Sequence, residues 1–190
     1  MNGLLRQVKI SVLGGTWNQR AELSTNYLST KIKAKYKFQT IFKIYSPETR
    51  REAFDIFQIH DGRRGYSPPL KVEITSVGQI KLIGEYQIGG LTSDICVKNI
   101  LQDSDYGLSR KTIQRDGTEY TLDVFLTFDG MGGYKAEAFL DGVLEAKGTY
   151  SPQENNGYFK SPKYFFKHGS YSKNIFEYEL KSKFKMFKIN

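Results

Sequence analysis

The sequence has very little of what holds metals or covalent cross-links. Among its 190 residues there is one cysteine, Cys96, and there are two histidines, His60 and His168. An internal disulfide is impossible, and zinc sites built from four Cys/His ligands are excluded. No apolar run approaches the roughly 20 residues of a membrane span, so no membrane partner is expected. The opening segment MNGLLRQVKISVL lacks the apolar stretch and small-residue cleavage site of an export signal. Acidic residues are short by eight: 20 Asp and Glu face 28 Lys and Arg, a net charge of +8 that points to an anionic partner.

With 39% hydrophobic residues, 14% aromatics, 18 glycines and only 5 prolines, the composition is neither disordered, collagen-like nor coiled-coil. The length suits one well-cored domain, residues 1–190. The dominant pattern is period two, the alternation of a strand with one buried face. From Lys31 to Phe38 it puts Ile32, Ala34, Tyr36 and Phe38 on one side and four lysines on the other. Further runs fall at Val8 to Leu13, Phe54 to His60, Leu70 to Ile74, Glu119 to Phe128, Tyr134 to Leu144 and Phe165 to Tyr171. Turn pairs such as Gly14-Gly15, Asp61-Gly62, Pro68-Pro69 and Asp129-Gly130 punctuate them. Asp141-Gly142, between AFL and VLEA, is a tight-hairpin signal. The stretch from Ser93 to Arg110 has no alternation and is expected to hold a short helix or an irregular crossover. Many strands and short turns predict an all-β fold, a β-sandwich jelly roll of the concanavalin A-like lectin/glucanase type, with a concave groove for a long ligand.

Three segments carry polar residues at i and i+2, on one face of a strand. In Gln19 to Ser24, Arg20 and Glu22 project together while Ala21 and Leu23 face the core. In Phe54 to His60, Gln58 and His60 share a face opposite Phe57 and Ile59. In Phe165 to Tyr171, Lys167 and Tyr171 lie on one side with Gly169 between them, and the missing side chain leaves room for a ligand near the backbone. If the three strands are neighbours, one groove would gather Arg, Gln, His, Lys and Tyr. That set suits β-elimination on a uronic-acid polymer, which needs the carboxylate neutralised, a base for the C5 proton and an acid for the departing oxygen. Arg20 and Gln58 can address the carboxylate, His60 or Tyr171 can take the proton, and Tyr171 can protonate the leaving group.

QRAEL, QIH and YFFKHGSY resemble, in the same order, the signature strands of the alginate-lyase-like polysaccharide lyases, which read roughly R-S/T-E-L-R, Q-I/V-H and Y-F-K-A-G-V-Y-N-Q. Pro68-Pro69-Leu70 and AFLDGVLEAKG further resemble the glucuronan-lyase and heparin-lyase-like branch. The resemblance implies Arg20, Gln58, His60 and Tyr171 as the catalytic set: Arg20 and Gln58 as carboxylate neutralisers, His60 as base for some substrates, Tyr171 as acid or as acid and base together. It implies no cofactor and no metal. It gives Lys167 as a subsite contact and Glu22 as the residue that holds Arg20 in place. The chain departs from the pattern at Ser24, His168 and Lys173, which bears on which uronate is taken.

The segment Asp61 to Pro69 adds Arg63, Arg64 and Tyr66, a flap with cationic contacts to acidic sugars or else a solvated loop. By parity His168 faces away from Lys167 and Tyr171, and its expected role is structural. The predicted partner is an anionic uronate polysaccharide, taken by a monomer in an extracellular or virus-associated setting, because such polymers lie outside cells. A non-catalytic acidic-glycan binder is the alternative. A nucleic-acid binder would share the charge but lacks a clustered basic-aromatic motif, and no nucleic-acid partner is expected. A glycoside hydrolase needs two carboxylates beside the scissile bond, and parity sets Asp55 opposite Gln58 and His60.

Overall fold

The structure, a computed structural model, describes residues 7–11, 19–46, 52–62, 68–89, 95–101, 111–152, 157–172 and 179–189, with backbone alone at 7–11, 19–21, 23, 95–100 and 179–189. In chain order the strands are β1 (Gln7–Ser11), β2 (Gln19–Ser24), β3 (Leu28–Ser29), β4 (Lys33–Tyr45), β5 (Phe54–His60), β6 (Leu70–Ile74) and β7 (Ile80–Ile88). They continue with β8 (Ile95–Ile100), β9 (Asp116–Asp129), β10 (Tyr134–Leu140), β11 (Val143–Tyr150), β12 (Lys163–Ser172) and β13 (Glu179–Ile189). One sheet runs β1-β13-β4-β9-β10-β11 and the other β2-β12-β5-β6-β7-β8, with β3 paired to β12. All pairings are antiparallel. The two sheets pack face to face as a β-sandwich jelly roll, and among the described residues there is no helix.

Alternation drives the packing. Phe38, Phe42 and Ile44 of β4 and Leu122, Val124 and Leu126 of β9 meet Ile56, Phe57 and Ile59 of β5 and Phe166 of β12 in one buried cluster. Each such side chain contributes about 1.5–3 kcal/mol by leaving water. Phe38 sits at its centre, with ring centroids 4.7 Å from Phe57 and 4.5 Å from Phe166, so it ties the two sheets together. The hairpin signal at Asp141-Gly142 is realised between β10 and β11, both residues taking positive φ, 49° and 81°.

Three expectations need correction. Ile32 does not share the buried face of its run: it is 58% exposed, because β4 begins one residue later and Ile32 belongs to the preceding turn. Within Ser93 to Arg110, residues Ile95 to Ile100 form strand β8, held by backbone pairing to β7 from Ile88↔Ile95 to Ile83↔Ile100; main-chain bonds need no alternation in the sequence. Asp55 does not lie opposite Gln58. β5 carries one residue more than β6 between Asp55↔Glu73 and Phe57↔Val72, a β-bulge that points Ile56 and Phe57 both into the core and brings Asp55 to the same face as Gln58 and His60.

Candidate active site

The three polar segments are neighbours, in the order β2-β12-β5. β12 registers Lys167, Gly169 and Tyr171 against Ser24, Glu22 and Arg20 of β2, and Lys167 and Tyr171 against Gln58 and Asp55 of β5. β6 then adds Lys71 beside Gln58 and Glu73 beside Asp55. Core residues alternate with these positions, so the outer face of this sheet carries two rows. One is Lys167, Gln58 and Lys71; the other is Tyr171, Asp55 and Glu73, with the Arg20 backbone in register beside Tyr171. Neighbours in a row are about 4.8 Å apart, the strand spacing, which is within the span of one pyranose carboxylate and its ring.

Gln58 is only 3% exposed and its amide Nε2 donates to Glu22 Oε1 at 2.9 Å. The second Glu22 oxygen lies 4.0 Å from Lys167 Nζ. Glu22 therefore orients the Gln58 carboxamide, a role beyond the one expected for it. The His60 ring stacks on Phe165, its neighbour in register, at 5.2 Å and 26°. Its Nδ1 accepts the Gly62 N–H at 2.9 Å, so the neutral ring carries its proton on Nε2 and offers a donor there. Tyr27 meets Phe165 edge-on at 5.0 Å, and Lys163 Nζ stands 4.1 Å from the Tyr27 ring centroid; this aromatic and cationic rim adjoins His60.

Beneath Tyr171 lies a pair that the motifs did not indicate. Lys71 Nζ is 3.2 Å from Asp55 Oδ2, with both residues buried, and 5.9 Å from the Tyr171 ring centroid. Burial pushes the Asp55 carboxyl up to about 7 even with Lys71 beside it; Glu73 and Glu22 push the same way. The signal for Lys71 was its place in the strand that follows QIH. The signal for Asp55 was hidden by the bulge, which breaks the parity count.

Not all expected site residues fall where they can be compared. The side chains of Arg20, Ala21 and Leu23 lie outside the described residues, although their backbone positions in β2 do not. Arg63, Arg64, Tyr66 and Lys173 lie outside them altogether. His168 is in the core as expected, 7% exposed, its ring centroid 4.8 Å from that of Phe57 and its Nδ1 3.4 Å from Thr40 Oγ1. Burial alone pulls its pKa down to about 3, so it stays neutral.

Two antiparallel sheets with a polar, cation-bearing outer face on one of them define a jelly-roll β-sandwich. No protein-family model matches the sequence, and no curated protein matches it. Solved structures do match in fold, among them alginate lyases and a glucuronan lyase. Alginate lyase A1-II', a member of polysaccharide lyase family 7, is 15% identical over 98% of this chain and 80% of its own, with a TM-score of 0.58. Alginate lyase AlyC3 is 12% identical over 98% and 75%, with a TM-score of 0.60. An endo-β-1,4-glucuronan lyase from the fungus Trichoderma reesei is 11% identical over 98% and 87%, with a TM-score of 0.58. At these identities the likeness is one of fold.

Proposed function

We propose that this protein is a polysaccharide lyase that cleaves a uronate-containing polymer of the alginate or glucuronan type by metal-independent β-elimination. The observation that carries the reading is the registration of Gln58, His60, Lys167 and Tyr171 onto one outer face, in strands that also align Arg20 beside Tyr171. The fold shared with alginate and glucuronan lyases supports it, and AlyC3 has been solved with dimannuronate.

In this mechanism the substrate carboxylate accepts from the Gln58 amide, from Arg20 and from the His60 Nε2–H. Neutralising it stabilises the negative charge that develops as the C5 proton leaves. Tyr171, as phenolate, takes that proton. The C5–H electron pair becomes the C4–C5 double bond, the C4–O bond breaks, and the departing oxygen receives the proton from Tyr171. His60 is the weaker base of the two, since the Gly62 N–H holds its Nδ1 lone pair. Lys167 contacts the polymer from the adjoining strand. The +8 charge, to which Arg63 and Arg64 contribute, draws the polyanion in. Such polymers lie outside cells, which places the proposed work in an extracellular or virus-associated setting.

The test is an absorbance assay across alginate blocks, glucuronan, hyaluronan and heparan-type polymers. A rise in ultraviolet absorbance from the conjugated double bond is expected with at least one uronate polymer. Pure protein that gives no signal on the whole panel refutes the reading.

A further inference from the structure

Asp55 and Lys71 are a carboxyl and an ammonium buried together on the outer face of a sheet, away from the apolar core between the layers. Such a pair is seldom worth its desolvation in stability alone; apolar residues of similar size usually do as well. Lys71 is 8% exposed and Asp55 4%, and their closest polar partners are each other. What the Lys71 ammonium does reach is the Tyr171 ring, 5.9 Å from its centroid, while Asp55 anchors the same nitrogen at 3.2 Å and is the register partner of Tyr171.

We infer that Asp55 and Lys71 are a positioning pair for Tyr171: Lys71 supplies the fixed cation that stabilises the phenolate that receives the C5 proton and that develops again as the departing oxygen is protonated, and Asp55 holds that cation in place. The inference rests on the lyase reading above. A cation near a developing anion in a site of low dielectric acts without reorganising, which is how electrostatic preorganisation accelerates a step. No bond to Lys71 or Asp55 is made or broken. Among the described side chains, the groups facing this cluster are Glu22 on β2, Lys167 on β12, Gln58 and His60 on β5 and Glu73 on β6; the Arg20 backbone is in register beside Tyr171. Among them Glu22 is engaged by Gln58 and Lys167.

Steady-state kinetics of the full chain on its best uronate polymer test this. Lys71→Met is expected to lower kcat about tenfold or more, equivalent to roughly 1.4 kcal/mol of barrier, with KM within about twofold of wild type. Lys71→Arg, which keeps the charge, is expected to recover most of kcat. Should Lys71→Met fold poorly because it strands Asp55, the double variant Asp55→Asn/Lys71→Met removes both groups and is expected to show the same kcat loss at unchanged KM. Full kcat in a folded Lys71→Met or double variant, or a Lys71→Arg no better than Lys71→Met, overturns the inference and leaves the lyase reading standing. A wild-type protein inactive on every polymer overturns both.

Discussion

The Gln58 amide reaches Glu22 at 2.9 Å although their strands are not neighbours: β12 runs between them. The two side chains together bridge about 9.6 Å of sheet, two strand spacings. On β12 between them, Gly169 registers against Glu22 and has φ 143°, a backbone state that side-chain-bearing residues avoid.

Gly169→Ala is therefore expected to cost about 1–3 kcal/mol of stability from the backbone strain alone, and to lower activity further through the shift of β12 that relieves the strain. Denaturant melts and turnover measured on the same preparation separate the two effects. An Ala variant of unchanged stability and turnover contradicts the role given to the glycine.

Tyr171→Phe keeps the ring that faces Lys71 and removes the hydroxyl. Elimination should drop at least about a hundredfold, the range for loss of a general acid or base. Polymer binding, measured by calorimetry, should persist. Retained turnover would remove Tyr171 from the chemistry; binding without turnover in the wild type would favour a glycan-binding module.

For His60 the proton on Nε2 separates two substitutions. His60→Gln retains a side-chain donor and should stay within about tenfold of wild type, whereas His60→Ala should fall by about a hundredfold, the loss typical of one oxyanion donor. Equal losses in both would instead indicate that the imidazole acts as the base.

Two buried groups give stability slopes of opposite sign with pH. His168 has a folded pKa near 3 against 6.5 unfolded, so the unfolded chain binds the extra proton between those values and stability rises with pH there. Asp55 has a folded pKa near 7 against 3.8, so across that window the folded chain holds the extra proton and stability falls as pH rises. Urea midpoints between about pH 4 and pH 7 should rise more steeply in Asp55→Asn than in wild type, and should flatten or reverse in His168→Phe. The opposite ordering would mean that one of the two groups is solvated.

Most of the site was legible because strand parity is a local property. Gln58 with His60, and Lys167 with Tyr171, could be paired by counting in twos, and the structure places both pairs on the outer face. The same count sent His168 inward, where it is found. Parity fails wherever a strand gains a residue relative to its partner, and the residue it misplaced, Asp55, is next to such a point. Pairing between strands is not local either: nothing in the order of the chain says that β12 lies between β2 and β5, or that Lys71 comes within reach of Tyr171. β8 was missed because an edge strand held by main-chain bonds need not announce itself by alternation.

The extra residues follow a sequence across the sheet. Between the His168–Phe57–Val72 row and the Tyr171–Asp55–Glu73 row, β12 advances three residues, β5 two and β6 one. One end of the polar outer face is thus set against the other by chain length as well as by side-chain identity. A one-residue insertion or deletion at Ile56 would slide the Gln58–His60 half against the Tyr171 half by up to one strand rise, about 3.3 Å, with every functional side chain retained. Strand length at that point is a dial on how the face meets a sugar ring, and diversification by single-codon gain or loss is open to this scaffold where substitution would cost a functional group.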